Sequence, residues 1–247
     1  MCETKSIDFM KSREDLFMAT QSTRDHLIDV GLGLMHENGY NATGLADILK
    51  AADVPKGSFY HHFSSKEDFA AAALERYIVR EREHAAAVLG DATISPLKRL
   101  RSYFSDLMKF YGQKGPIPGC MMGRFSLEIA AESSQLRRRI SVSFEHWQRT
   151  IATVIREAVA RKELSAGTDA ESLAGFLLNN WEGALLRSQA DKSNAPLETF
   201  MRYVFDGLLK NESSGSKSVR NEAARKEGKG GASSAKSSTR RRKNMTV

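Results

Sequence analysis

At 247 residues, 41% hydrophobic and 27% charged, the chain has room for one large domain or two modest ones and the balance of an ordinary globular protein. Five prolines and two cysteines exclude collagen-like and disulfide-scaffold readings, and no apolar run approaches the roughly 20 residues that span a bilayer. The net charge of +7 resides in residues 211–247, which hold ten Lys or Arg and three Glu; residues 1–210 hold 27 basic and 27 acidic residues.

The opening stretch, residues 1–21, has no apolar segment of the secretory kind and reads as an N-terminal arm. Cys2 and Cys120 are expected to be reduced thiols in a cytoplasmic protein. From residue 22 to 210 the spacing predicts successive helices. Leu27, Val30, Gly31, Leu34 and Met35 share one helical face, with Ser22 or Thr23 as cap and Gly39 as the left-handed stop. A short second helix is predicted after Thr43, carrying Leu45, Ile48, Leu49 and Ala52 inward, followed by a turn at Ala52-Asp53-Val54. A third starts at Pro55 in its first turn and carries Phe59 and Phe63 on one face. Ser65 and Asp68 then make a capping box that opens a long fourth helix.

Beyond it, Leu97, Leu100, Phe104, Leu107, Met108 and Tyr111 repeat at helical spacing, and residues 112–119 break the pattern with three glycines and two prolines. A sixth helix is predicted from Cys120 to about Glu132, and a seventh on Leu136, Ile140, Phe144, Trp147, Ile151, Val154 and Ala158. Thr168 and Glu171 form a capping box for the eighth, and Leu197 to Leu209 mark a last helix. No stretch alternates with period two, so the expected fold is all-α with about nine helices. Residues 211–247, rich in Ser, Gly, Lys and Arg, cannot bury enough apolar surface to offset ordering and are expected to be disordered.

Two short helices and a turn are a weak signal alone. The run GYNATGLADILKAADVPKGSFYHHFSSKEDF, Gly39 to Phe69, is far more specific, and it closely resembles the N-terminal domain of the tetracycline-repressor (TetR) family of bacterial transcription regulators. The likeness covers some 45 residues continuously; beyond residue 80 it is one of architecture. It implies a helix-turn-helix DNA-binding domain over 22–68, a ligand-binding and dimerisation domain over 69–210, and a basic tail over 211–247. It also implies that Thr43, Lys56, Gly57, Ser58, Tyr60, His61 and Lys66 meet DNA, mostly at phosphates with a few base edges. Residues 22–68 are nonetheless net −3, with four basic and seven acidic residues, so affinity has to come from local placement and dimerisation. His61-His62 point about 100° apart on a helix and make no metal site.

In the resembling family the last two helices pair with a second copy across a two-fold axis, matching a palindromic operator with half-sites about 34–36 Å apart or a multiple of it. The intervening helices enclose a small-molecule site, for which the candidates are Met108, Tyr111, Cys120, Met121, Phe125, Trp147 and Trp181, most of them better read as plain core. Cys120 follows Pro118-Gly119 and opens a helix, where free N–H groups favour a thiolate, the competing expectation being a buried, inert thiol. The Gly-Cys pair resembles a subgroup that senses reactive electrophiles and small unsaturated acids or aldehydes. The expected function is a dimeric, ligand-responsive repressor, with no enzyme activity, metal or cofactor and no membrane. The competing reading is a non-specific architectural nucleic-acid-binding protein working through its basic tail, with Arg240-Arg241-Arg242-Lys243 as the main attraction for phosphates.

Overall fold

The computed structural model describes residues 22–111 and 119–210; the expectations for the N-terminal arm, the 112–118 break and the basic tail lie outside them. Nine α-helices follow in the described residues: α1 Thr23–Asn38, α2 Leu45–Ala52, α3 Lys56–His62, α4 Lys66–Leu89, α5 Pro96–Tyr111, α6 Met121–Glu128, α7 Ser134–Ala160, α8 Ala170–Asp191 and α9 Ala195–Tyr203. A single π-helical segment, Val204–Leu208, ends the series where a continuous last helix was expected.

Local chemistry sets most boundaries. Ser22 Oγ accepts from Asp25 N at 3.1 Å to start α1, and Gly39 stops it at φ +89°. Asp53 adopts the left-handed turn after α2 at φ 52°. Ser65 Oγ accepts from Asp68 N at 3.0 Å, while Asp68 Oδ2 accepts from Ser64 N, so the predicted box at α4 forms with the aspartate reaching one residue further back. Three boundaries differ. Pro55 is the N-cap of α3 rather than its first residue. α6 stops at Glu128, well short of residue 132. Asp169 caps α8, accepting from Glu171 N and Ser172 N, and takes the role expected of Thr168 because its carboxylate reaches two donors at once.

One continuous apolar core runs through the described helices. At one end α1, α2 and α3 gather on the first turns of α4 around Phe59, Phe63 and Phe69, and an ideal Cβ on Gly31 would meet Phe69 Cζ at 2.2 Å, so α1 lies directly on that ring. At the other end α5 to α9 surround Phe104 and Trp181. α4 belongs to both. No described helix is long and apolar enough to cross a membrane.

Candidate functional site

α3 is anchored by Phe59 and Phe63, 0% and 2% exposed, with the rings of Phe59 and Phe69 5.4 Å apart. Its outer surface carries Lys56, Gly57, Tyr60 and His61, all exposed, with Ser58 half-buried. Lys56 Nζ stands 6.0 Å over the Tyr60 ring, a loose cation–π pairing that projects both from the same surface. An ideal Cβ on Gly57 would meet nothing within 4 Å, so neither packing nor backbone strain demands glycine there; an external surface that approaches the backbone closely would. Lys66, the first residue of α4, lies 4.4 Å over the Tyr40 ring, and partial burial pulls its pKa down against the opposing pull of Glu128.

Thr43 needs correction. It is 2% exposed, and its hydroxyl turns inward to donate to Gly39 O at 2.7 Å and to Leu34 O at 3.2 Å. Gly44, not Thr43, is the N-cap of α2, so the Thr43 hydroxyl is spent on the turn and cannot serve a phosphate. The acidic balance of residues 22–68 also has a local explanation. Asp25 and Asp29 pair with Arg76 of α4, Asp29 also with Arg80, while Asp47 and Asp68 accept from the backbone N–H groups of Gly44 and Ser64. These carboxylates are neutralised or held away from the α3 surface.

α6 fastens this end to the rest. Arg124 Nη1 donates to Glu37 O at 2.7 Å and to His36 O at 3.3 Å, satisfying carbonyls at the C-terminus of α1. Glu128 accepts from Asn41 N at 2.9 Å, and His36 Nε2 donates to Gly119 O at 2.7 Å. Burial holds the His36 pKa below its usual value, with the Gly119 bond opposing.

The small-molecule candidates do not come together. A cavity of about 90 Å³ lies among α4, α5, α6 and α7, lined by Tyr77, Glu81, Tyr103, Met122, Ser143 and Trp147 among others. Of the seven candidates it includes Trp147 alone, and Met121 and Phe125 are fully buried core. Trp181 is fully buried between Phe104 and Phe200, each ring 5.3 Å away, and is core. Tyr111 is buried, with its hydroxyl 3.1 Å from that of Tyr77, and half-buried Met108 packs on the core. Cys120 lines a separate groove of about 370 Å³ between α6 and α8, with Gly123, Glu182, Leu186 and Gln189.

Cys120 follows the buried-thiol expectation rather than the thiolate one. Its thiol is 5% exposed, and burial, then the Glu182 charge, push its pKa well above the usual value; the Gly123 N–H at the helix start pulls the other way and loses. The thiol, not the thiolate, is the resting form. Glu182 is itself raised to about 7 by burial, and its Oε1 is buried without a hydrogen-bond partner.

Spacing missed Glu81. It stands one turn beyond Tyr77 and one before Ala85, an acid on the apolar face of α4, and that misplaced charge was the signal available. Burial raises its pKa from 4.5 to about 7. Trp147 Nε1, in the same wall, is buried beside the Tyr103 hydroxyl, so the cavity carries a polar edge among apolar walls. A raised carboxyl pKa means the folded state holds the proton more tightly. Its stabilising contribution is complete below about pH 4.5 and is lost as pH rises through about 7. Replacing Glu81 with Gln is therefore expected to flatten the stability profile between pH 4.5 and 7.5, measured by urea denaturation; an unchanged slope would place the titration elsewhere. Among the described residues no group of three or more His, Cys, Asp or Glu could hold a metal ion.

The model of bacterial regulatory proteins of the tetR family matches residues 27–73, and that of the tetracyclin repressor-like C-terminal domain matches residues 96–204. The transcriptional repressor DhaR of a Mycobacterium species (strain GP1) is 33% identical over 192 residues, covering 78% of this chain and 95% of that protein. The transcriptional regulator AcuR of Cereibacter sphaeroides is 38% identical over 188 residues, covering 76% and 84%. Among solved structures, the reduced form of Escherichia coli NemR superposes with a TM-score of 0.70 at 28% identity, over 75% of this chain and 96% of NemR. Two family models on consecutive stretches, relatives matched over most of their length and an outward-facing α3 agree: the chain belongs to the tetracycline-repressor family of transcription regulators.

Proposed function

We propose that the protein is a ligand-responsive repressor that binds a palindromic operator as a dimer and is released by a small molecule. The observation that carries this is α3, a seven-residue helix pinned inward by Phe59 and Phe63 with Lys56, Gly57, Tyr60 and His61 left outside. Those groups, with Ser58 and with Lys66 on the flanking backbone, are assigned to DNA. Residues 22–68 then form the DNA-binding unit and residues 69–210 the sensing and dimerising unit, with α4 shared. The exposed apolar face of α8 and the end of α9 serve the dimer.

The effector occupies the cavity at Glu81 and Trp147. A volume of about 90 Å³ is several times the roughly 10–15 Å³ that one water needs, so it admits a small molecule. Ligand that binds better when α4 and α6 are displaced shifts the population by that difference in affinity, typically about 1–3 kcal/mol. Displacement of α6 pulls on the Arg124 and His36 bonds to the end of α1, and displacement of α4 moves α3 directly.

The experiment is a gel shift of protein lacking residues 211–247 on its own upstream DNA against random duplex. A sequence-specific shift that an effector reverses supports the repressor; loss of all binding with the tail supports the architectural alternative. A second reading keeps Cys120 as an electrophile sensor, favoured by its place in an open groove with Glu182 within reach of its proton. Cys120→Ser is expected to leave operator binding intact and to abolish release by a maleimide. Release at an unchanged maleimide concentration would remove the thiol from the mechanism.

A further inference from the structure

α7 opens with three consecutive arginines, Arg137, Arg138 and Arg139, within its first six residues, and its first turn has no acidic residue. They follow directly on the first turn, beside the positive pole of the macrodipole, where a cation gains nothing from the dipole. Packing does not account for the choice, since Leu136 and Ile140 are the buried residues of this segment. Arg139 pairs with Glu75 at 3.3 Å. Arg137 and Arg138 are exposed, and no side-chain hydrogen bond, ion pair or ring contact ties either guanidinium to another described residue. Two exposed charges that break a local rule without a compensating contact are candidates for function.

Their position narrows the partner. Ser133, the N-cap of α7, donates its hydroxyl to Glu67, the residue after Lys66 in the first turn of α4. Arg139 meets Glu75 two turns further along α4, so α7 starts at the α3 end of α4 and runs alongside it in the same direction. Side chains on a helix tilt towards its N-terminus, which inclines Arg137 and Arg138, about 100° apart around α7, towards the end of the bundle where Lys66 lies. Arg137 lies about 6 Å along the axis from Ser133, four residues at about 1.5 Å each, a span that an extended arginine recovers. The neighbouring acids Glu67, Asp68 and Glu75 are each engaged, with Ser133, Ser64 and Arg139. Exposed Glu132 is the remaining carboxylate beside them.

We propose that Arg137 and Arg138 form a second phosphate-binding site, on the DNA backbone just outside the stretch read by α3, so that the sensing unit itself contributes to operator affinity. The inference rests on the proposed placement of Lys66 at the flanking backbone. Guanidinium groups suit this task because their planar forks donate to two phosphate oxygens at once. It also gives the effector a second lever, since any rotation of α7 about α4 would lift these arginines from the duplex.

The test uses the full chain carrying Arg137→Ala and Arg138→Ala, titrated against duplex from its own upstream region and against a random duplex of equal length, over a series of salt concentrations. Each phosphate contact contributes about 0.9 to the slope of log affinity against log salt. Removing two per protomer is expected to lower the slope of the dimer by roughly 2–4 and to weaken both duplexes alike. Arg137→Lys with Arg138→Lys is expected to recover most of the slope, which separates lost charge from lost fold. Lys56→Ala provides the control. If it weakens operator binding while the double alanine variant matches wild type in slope and affinity, the flanking site is refuted and the α3 reading stands. If neither substitution changes binding, the α3 reading is refuted as well.

Discussion

Replacing Phe59 with alanine is expected to abolish operator binding while leaving the C-terminal helices folded and dimeric. Phe59 is fully buried, with the rings of Tyr60, Phe63 and Phe69 at 5.5, 5.3 and 5.4 Å. Truncating such a side chain typically costs about 3–5 kcal/mol, the transfer loss plus the cavity left behind. The loss falls on an element that cannot absorb it. α3 has seven residues, whereas isolated helices below about 12–15 residues are marginal in water, so it stays helical only while its two phenylalanines hold it. The same rings tie in α1, which approaches Phe69 so closely that Gly31 has no room for a Cβ. At about 2–4 °C per kcal/mol for a chain of this size, the first melting transition should fall by roughly 6–20 °C. Circular dichroism, a gel shift and size-exclusion chromatography check the three parts of this outcome. Phe59→Leu, which refills most of the space, should retain binding. Wild-type operator affinity in Phe59→Ala would show that α3 is not the element that enters the duplex.

The elements that could be read from the chain are those whose causes are local. Ser22, Gly39, Ser65 and the left-handed Asp53 work through atoms a few residues apart, and each is where spacing placed it. The shift from Thr168 to Asp169 is of the same kind, because adjacent oxygens competed for the same N–H groups and the carboxylate captured two. Thr43 shows where local reading stops: its hydroxyl is used by Gly39 and by Leu34 in the preceding helix, a choice made by the return of the chain on itself. The outward residues of α3 follow from Phe59 and Phe63 alone, whereas a cavity is what several helices leave between them. Met108, Tyr111, Trp147 and Trp181 share helical spacing and apolar character, and nothing in their order separates Trp181, sealed between Phe104 and Phe200, from Trp147, which lines the cavity. For Cys120 the helix start was legible and the burial was not; the burial decides, because desolvation in the company of Glu182 outweighs the Gly123 N–H.

Leu186→Arg is expected to split the dimer and, with it, high-affinity operator binding. On α8, Phe176 and Leu186 are 49% and 59% exposed, and exposed Gly183 between them presents no side chain. Phe176, Asn179, Gly183 and Leu186 fall three and four apart on one face of the helix, bordered by the exposed Tyr203 and Leu208 in the last described helical segments. Four large apolar side chains exposed this close together, around a glycine and a single asparagine, mark an interaction surface. Two-fold symmetry brings Leu186 into the interface twice, so one substitution buries two unpaired guanidinium groups, each at a cost of about 1–3 kcal/mol or more. With about 1.4 kcal/mol for each factor of ten, dimerisation should weaken by at least about 25-fold. A monomer presents one α3 to half an operator and forfeits the second set of phosphate contacts, so the loss should be far steeper on a palindrome than on an isolated half-site. Sedimentation velocity reads the first effect and titration of the two duplexes the second. A variant that remains dimeric and still prefers the palindrome would move the two-fold axis off α8, and with it the geometry that matches two α3 helices to one duplex.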